Sequence, residues 1–241
     1  MPKKYLIYGA TGGIGSATAR LLAARGHQLH LVSRNNDALG LIAAELNATY
    51  STGDVLDESF LQRSVAEAGE SIDGLIYAVG SITLKALPRL THADFMRDYQ
   101  LNAVSAALAV QAALPALKKS GHGAVVFFSS IAAAQGFGMH ASIAMAKGAI
   151  SSLTLSLAAE LAPAVRVNAI APSLTQTPLS KSLWQNETMA QSIASLHPIS
   201  RLGHADDIAS LAAFLVSDEA AWITGQIIGV DGGRSTLRVK G

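Results

Sequence analysis

The chain alternates between short, continuously apolar runs and longer stretches in which apolar and polar residues recur with helical spacing. Runs such as GAVVFF and GLIYAV are apolar at nearly every position, which is typical of strands buried on both faces of a parallel sheet. The alternation predicts right-handed βαβ units, and hence a single doubly wound α/β domain over 1–241 with a parallel sheet of about seven strands. The predicted strands are Tyr5–Tyr8, Leu29–Val32, the weaker Ala48–Ser51, Leu75–Tyr77, Ala124–Phe128, Val167–Ile170 and Ile227–Val230. The predicted helices are 14–25, 37–46, 57–68, 92–118, 142–161 and 205–216.

One connection is much longer than the others. It runs from Pro172 to Pro198, reads PSLTQTPLSKSLWQNETMAQSIASLHP and is rich in Ser, Thr and Gln. Long connections inside a compact domain are commonly functional lids. We therefore expect a substrate lid at about 173–198, and its larger apolar side chains indicate a partly apolar substrate: Leu179, Leu183, Trp184 and Met189.

Composition narrows the class of protein. Half of the 241 residues are hydrophobic and the formal net charge is +1, which argues against a nucleic-acid or membrane-surface partner. The longest apolar stretch, LNAVSAALAVQAALPAL, carries polar residues and a proline, so it predicts a buried helix rather than a membrane span. The sequence has no cysteine, and its seven histidines lack metal-ligand spacing. We expect a soluble cytoplasmic protein without a metal site.

A glycine-rich turn separates the first predicted strand from the first helix. In YLIYGATGGIGSATARLLAARG, the spacing of Gly9, Gly13 and Gly15 lets backbone N–H groups approach a pyrophosphate at the positive end of the helix. The second strand ends in LVSRNN, where an NAD-preferring protein usually has an acidic residue. This chain has Ser33 and Arg34 instead, and a guanidinium suits a 2′-phosphate. The sequence therefore favours NADP(H) as cofactor.

With several further motifs, these residues resemble the short-chain dehydrogenase/reductase family over nearly the whole chain. Asn102 in LNAVS, Ser130 in FFSSIAA and Lys147 in HASIAMAK match catalytic residues of that family, and RVNAIAPSLTQT, RLGHADDIA and TGQIIGVDGG resemble its later motifs. The resemblance implies a Rossmann-type fold, a small-molecule substrate and a homo-oligomer, either a tetramer or a dimer. It implies cofactor contacts from Gly9, Thr11, Gly13, Ile14, Gly15, Ser33, Arg34, Asp54, Val55, Ala78, Gly80, Lys147, Pro172, Thr175 and Thr177.

The same resemblance implies a proton-donating tyrosine four residues before Lys147, where this chain has Ile143. His140 lies seven residues before Lys147, about two helical turns, and an imidazole titrates near neutrality. Enoyl-acyl-carrier reductases of the same superfamily carry their tyrosine at this spacing. His140 is therefore a candidate acid, although a histidine at a helix start can also cap backbone groups. Ser130, Lys147 and a water held by Lys147 are further candidates. Ser142 points about 140° away from Lys147 and is better explained as an N-cap.

Two functions remain open at this point. The first is an NADP(H)-dependent oxidoreductase that uses Asn102, Ser130, His140 and Lys147 to reduce a carbonyl or a conjugated C=C bond. The second is a catalytically silent protein that binds NADP(H) as a sensor or assembly partner. A silent binder has little need of Asn102 and Ser130, so the sequence favours the enzyme.

Overall fold

The computed structural model describes residues 2–238, which form one Rossmann-type α/β domain. Its strands are β1 (Lys4–Tyr8), β2 (Gln28–Ser33), β3 (Thr49–Thr52), β4 (Gly74–Tyr77), β5 (Gly123–Phe128), β6 (Val165–Pro172), β7 (Thr175–Gln176), β8 (Gly203–His204) and β9 (Ile227–Val230). Seven of them pair in parallel in the order β3-β2-β1-β4-β5-β6-β9, and the short β7 and β8 pair separately. The predicted doubly wound fold with a seven-stranded sheet is confirmed.

Helices cover both faces of this sheet. They are α1 (Gly13–Ala24), α2 (Asn36–Leu46), α3 (Glu58–Ala68), α4 (His92–Tyr99), α5 (Ser105–Lys119), α6 (Ala141–Leu161), α7 (Lys181–Trp184), α8 (Glu187–Ala194) and α9 (Ala205–Val216). Several begin at side-chain caps of the kind that satisfy free backbone N–H groups. Asn35 caps α2, Asp57 caps α3, and Thr91 forms a capping box with Asp94 at α4.

The apolar runs are explained by burial on both sides of the sheet. Along β1, Tyr5 and Ile7 pack against α1, α2 and α9, whereas Leu6 and Tyr8 pack against α3, α5 and α6. All four side chains are fully buried. Because successive side chains of a strand point to opposite faces, a strand covered on both faces has no position for a polar alternation.

The predicted helix over 92–118 is interrupted. A π-helical turn at Gln100–Val104 separates α4 from α5. The side-chain Nδ2 of Asn102 donates to the carbonyl of Asp98 at 2.9 Å, the acceptor that the Asn102 backbone N–H would use in a regular α-helix. Side-chain competition of this kind widens the helical turn, and such turns are frequent at functional sites.

Two helical stretches, His92–Lys119 and Ala141–Leu161, are long and apolar enough to cross a membrane by length and composition alone. In the fold, both pack against the sheet, and Ala106, Ala109 and Ile150 lie in its hydrophobic core. The interpretation of LNAVSAALAVQAALPAL as a buried helix is therefore confirmed.

The long connection after β6 has secondary structure of its own. It contains β7, a 3₁₀ turn at Pro178–Ser180, and the short helices α7 and α8. Trp184 lies inside this segment, because its indole Nε1 donates to the Thr177 carbonyl and to Ser180 Oγ, both at 3.2 Å. Trp184 therefore stabilises the segment itself, and we call residues 173–198 the lid segment from here on.

Candidate active site

A cleft of about 310 Å³ opens at the carboxyl edge of the sheet, where doubly wound folds bind their ligands. The residues that follow β4 and β5 form its floor, α6 forms one wall, and the lid segment lies across it. Most of the lining is apolar. Its members include Ile14, Ala78, Gly80, Ser130, His140, Ile143, Lys147, Pro172, Thr175, Thr177 and Arg234.

The predicted glycine turn lies directly beside this cleft, and backbone packing requires its glycines. Gly9 adopts φ of +79°, and a Cβ there would stand 2.7 Å from the backbone carbonyl of Ala78. A Cβ on Gly15 would stand 2.2 Å from the Gly9 carbonyl oxygen, and one on Gly13 would stand 2.7 Å from Thr177 Cγ2. Helix α1 begins here without a side-chain cap from residues 2–238. Its first backbone N–H groups are thus available to an anion, so the turn fits a dinucleotide pyrophosphate.

The residues predicted to select NADP(H) lie together at the ends of β2 and β3. Ser33 Oγ is 2.6 Å from Thr11 Oγ1, which ties the end of β2 to the glycine turn. Arg34 is exposed, and its Nη1 is 4.0 Å from Asp54 Oδ2, a distance at which an exposed ion pair contributes little. Asp54 also accepts a hydrogen bond from the Leu56 N–H, which stabilises the turn after β3. Val55 is buried beside it.

Asn102 and Lys147 converge on Gly80. A Cβ at Gly80 would stand 3.0 Å from Asn102 Oδ1 and 3.5 Å from Lys147 Nζ. Asn102 Oδ1 is buried and has no hydrogen-bond partner among the described residues. Lys147 lines the cleft and supplies an ammonium donor, which fits a ribose hydroxyl of a bound nicotinamide cofactor. Asn102 lies behind Gly80 and supports this part of the wall.

Lys147 itself is held by the backbone of β5. Its Nζ donates to the Phe128 carbonyl at 2.8 Å. Burial disfavours the positive charge and lowers the pKa of Lys147 to about 8, while the negative charge of Asp98 opposes that shift. An ammonium with a pKa near the working pH can also release a proton, so Lys147 stays a candidate donor.

Ser130 is placed at the cleft by the chain that leaves β5. It is the N-cap of a 3₁₀ turn at Ile131–Ala133, where its Oγ accepts from the Ala132 N–H at 3.1 Å. Its hydroxyl hydrogen has no acceptor among residues 2–238 and is available to a ligand oxygen. Ser129, the preceding residue, instead donates to the Lys147 carbonyl and anchors α6 against β5.

His140 immediately precedes α6 and lines the cleft. Its Nδ1 is 2.7 Å from the Gly138 carbonyl oxygen, and its ring packs against Phe137 at a centroid distance of 5.4 Å. The side chain makes no cap bond to α6 within the described part of the chain, so helix capping does not explain this histidine. Ile143 is buried next to it, and none of the five tyrosines, all of which are described, lines the cleft.

The interpretation of Ser142 as an N-cap is wrong. Ser142 is buried in the first turn of α6, and its Oγ donates to Asp98 Oδ2 at 2.7 Å. The cause is the tertiary packing of α6 against α4, which brings a buried carboxylate within reach. Helical spacing alone showed that Ser142 points away from Lys147, but it could not show the partner.

Asp98 is the residue that sequence reasoning missed. Its buried carboxylate accepts from three hydroxyls, those of Ser81 at 2.6 Å, Thr83 at 2.9 Å and Ser142 at 2.7 Å. Ser81 in turn accepts from the amide of Asn102. No local pattern distinguishes Asp98, because Asp94 and Asn102, one helical turn away on either side, are polar as well. Asp98 thus positions Asn102 through Ser81, and its negative charge raises the pKa of Lys147 against the effect of burial.

The remaining predicted cofactor residues follow β6. Pro172 ends β6, Thr175 is buried in β7, and Thr177 lies against Gly13. All three line the cleft, so the first residues of the lid segment lie next to the glycine turn in space. Within residues 2–238, no group of three or more His, Asp and Glu side chains is arranged to hold a metal ion.

Comparison with known proteins gives the same assignment along the whole chain. The family described as enoyl-(acyl carrier protein) reductase matches residues 9–235. A cis-4-hydroxycyclohexanecarboxylate dehydrogenase of Sinomonas cyclohexanicum is 37% identical over 96% of both chains. A tropinone reductase homologue of Arabidopsis thaliana is 33% identical over 96% of this chain and 91% of its own.

Solved structures agree. A short-chain dehydrogenase/reductase from Mycobacterium ulcerans superposes with a TM-score of 0.93 at 29% identity, over 98% of this chain and 90% of its own. A levodione reductase gives a TM-score of 0.92 at 29% identity over 98% of both chains. The glycine turn, the Asn102–Lys147 pair and the whole-chain match lead to one conclusion: the chain belongs to the short-chain dehydrogenase/reductase family, and it is an oxidoreductase that uses a nicotinamide cofactor.

Proposed function

We propose that this protein transfers hydride between NADP(H) and the carbonyl carbon of a small, partly apolar substrate, with Ile143 in the place of the usual proton-donating tyrosine. The observation that carries the proposal is that Ser130 and Lys147 line one cleft beside the glycine turn, with Asn102 directly behind Gly80 of the same lining. The single-domain chain over 1–241 with its lid over 173–198 is the unit that acts.

The preference for NADP(H) is part of the proposal. Arg34 is exposed at the end of β2 with only a distant, solvent-screened carboxylate near it, and so it is available to a 2′-phosphate. Ser33 precedes Arg34 at the end of β2, and its hydroxyl is hydrogen-bonded to that of Thr11. No described acidic residue occupies the end of β2, where an NAD-preferring protein usually holds the ribose 2′-hydroxyl.

The bound cofactor supplies or accepts the hydride. The chain then has to hold the substrate oxygen and move one proton. Ser130 donates its free hydroxyl hydrogen to the carbonyl oxygen and orients it. Lys147 would hold a ribose hydroxyl, with Asn102 behind Gly80 in support, and the ammonium of Lys147 adds positive charge where the oxygen becomes negative.

We assign the proton to His140. Its Nδ1–H can donate to the Gly138 carbonyl, which fixes the orientation of the ring. Nε2–H is then the group left to protonate the oxygen. Lys147, with its pKa lowered to about 8, is the alternative donor. His140 is preferred because it leaves Lys147 free to keep its charge and its hold on the cofactor.

Ketone reduction is favoured over reduction of a conjugated C=C bond by the compounds named in the relatives. Tropinone, levodione and cis-4-hydroxycyclohexanecarboxylate are cyclic ketones or alcohols. The matching family is described as an enoyl reductase, so substrates with a conjugated C=C bond are included in the experiment below.

The experiment follows transfer of deuterium from C4-labelled NADPH to a panel of cyclic ketones and cyclic enones, detected by mass spectrometry. We expect label on the carbinol carbon of at least one ketone, and loss of that label in Ser130→Ala. Label only on the former β-carbon of an enone, which is saturated in the product, would move the proposal to enone reduction. Tight NADPH binding without transfer to any panel member would support the catalytically silent alternative.

We also propose that the protein is a homo-oligomer, a tetramer or a dimer, located in the cytoplasm. The support for an oligomer is the apolar surface of α6, where Met145 and Leu155 are each about half exposed. Exposed apolar side chains on a long helix are typical of subunit interfaces. Light scattering that gives a monomer mass at micromolar concentration would contradict this assignment.

A further inference from the structure

Arg234 is the cation of the cleft that the proposed reaction leaves unused. It lies in the turn after β9, is partly buried and lines the same cleft as Ser130, His140 and Lys147. Its guanidinium carbon lies over the ring of Phe137, 5.0 Å from the centroid. That stacking fixes the plane of the guanidinium without using its N–H groups.

The N–H groups of Arg234 have little else to bind. Within residues 2–238, the one hydrogen bond from this guanidinium is a long contact of 3.4 Å from Nη1 to Ser173 Oγ, and no carboxylate lies within 4.0 Å of it. The carboxylate of Asp231 accepts from the backbone N–H groups of Gly233 and Ser235 instead. Burial lowers the pKa of Arg234, and the charge of Asp231 opposes the shift only in part.

A second partly buried arginine differs from Arg234, because its N–H donors are used within the protein. Arg166 donates to three backbone carbonyls, those of Leu215, Ser217 and Ile223. It is a structural residue with its donors used. Arg234 keeps most of its five donors free, in a cleft that is otherwise mostly apolar.

The lining of the cleft has a one-sided charge. Lys147 and Arg234 line it together with His140, and no aspartate or glutamate from the described chain does so. Lys147 serves the cofactor in the proposed reaction. Within residues 2–238, no carboxylate lies within 4.0 Å of the positive charge that remains, Arg234, and a partly buried guanidinium favours an anion that binds it with two parallel hydrogen bonds.

We propose that Arg234 binds a carboxylate of the substrate, so that the substrates are small oxo acids or hydroxy acids. Carboxylate is chosen over phosphate because one guanidinium supplies a single bidentate site in largely apolar surroundings, which matches one negative charge. This inference rests on the proposed function only for the reacting carbonyl. The anion site itself can be tested without turnover.

The test measures binding of cyclohexanecarboxylate and of cyclohexanecarboxamide to the NADP⁺-loaded protein by calorimetry. The two probes match in shape and differ in charge. We expect the carboxylate to bind about tenfold more tightly than the carboxamide, as for hydrogen bonds to a charged group. Arg234→Met keeps an unbranched apolar side chain without the guanidinium and should abolish that preference, and Arg234→Lys should leave part of it.

Arg89→Met is the matched control, because Arg89 is exposed and lies outside the cleft. NADP⁺ affinity is measured for every variant, and an equal loss of NADP⁺ and carboxylate binding in Arg234→Met would assign Arg234 to the cofactor and overturn the proposal. Equal binding of the two probes by the wild type, or no carboxylate binding at millimolar concentration, would also overturn it. An Arg234-dependent preference in a protein that transfers no hydride would contradict the proposed function and leave this site standing.

Discussion

The cofactor side of the cleft is built from closely packed backbone, whereas the substrate side is built from side chains. On the cofactor side, the backbones of Gly9, Gly15 and Ala78 pack so closely that a single added methyl group would overlap a carbonyl. On the substrate side, side chains such as His140 and Arg234 reach the cleft from segments almost a hundred residues apart. Close backbone packing makes the cofactor side intolerant of any side chain. The substrate side can change one side chain at a time, which is how one fold serves many reactions.

Removing the proposed acid from the substrate side should have the greatest effect on activity. His140→Ala should lower kcat by about 10²–10⁴-fold, the usual contribution of general acid catalysis, and leave the Kd of NADPH unchanged. Steady-state kinetics on a verified substrate and NADPH fluorescence titration measure the two quantities. His122→Ala is the control, because His122 is exposed at the opposite edge of the sheet, before β5.

Ile143→Tyr adds a second donor in the His140→Ala background. The hydroxyl would stand one helical turn before Lys147, and we expect it to restore part of the lost turnover. Full turnover of His140→Ala on the same substrate would exclude the histidine and leave Lys147 or a water held by Ser130 and Lys147 as the donor.

Next in size is the selection of the cofactor by Arg34. Arg34→Ala should weaken NADPH binding by about 1.5–3 kcal/mol, the cost of losing hydrogen bonds to a charged group, and spare NADH. Isothermal titration with both cofactors measures the difference. Arg25→Ala, an exposed arginine after α1, should change neither. Equal losses for NADPH and NADH would show that Arg34 does not contact the 2′-phosphate.

Backbone packing on the cofactor side is tested by Gly15→Ala. Its Cβ would meet the Gly9 carbonyl oxygen, so we expect a loss of about 1–3 kcal/mol in the free energy of unfolding, as for an overpacked core. Gly40→Ala is the matched control in α2, where the added methyl meets only ordinary contacts. That substitution should raise stability by about 0.5–1 kcal/mol through helix propensity. Denaturation that gives both variants the same stability would contradict the comparison.

The smallest expected effect concerns the pH dependence set by Asp98. Its negative charge raises the pKa of Lys147, so Asp98→Asn should lower that pKa further below about 8. The cationic form of Lys147 would then be lost at lower pH, and the alkaline limb of kcat/KM should shift to lower pH. Asp37→Asn, an exposed carboxylate in α2, should leave the limb in place. An unchanged limb in Asp98→Asn would show that this charge does not act on Lys147.

How much the sequence could predict depends on the range of the interactions involved. Local apolar runs were enough to locate the seven strands of the main sheet, because burial on both faces leaves a pattern at each strand, and the glycine spacing located the turn at Gly9 and Gly15. The short β7 and β8 were not predicted. The break at Gln100–Val104 was missed, since a single side-chain bond from Asn102 changes the helix without changing its apolar period. Asp98 and Arg234 were missed for a different reason. Their roles depend on partners far away in sequence, which no local pattern encodes.

The contact between Thr177 and Gly13 has a kinetic consequence. Because Thr177 belongs to the lid segment and Gly13 to the glycine turn, a substrate bound under the lid segment would lie next to the proposed dinucleotide site. A substrate seated under the lid would then block cofactor release. We expect compulsory-order kinetics, with the dinucleotide binding first and leaving last, and product-inhibition patterns that are competitive between NADPH and NADP⁺ alone.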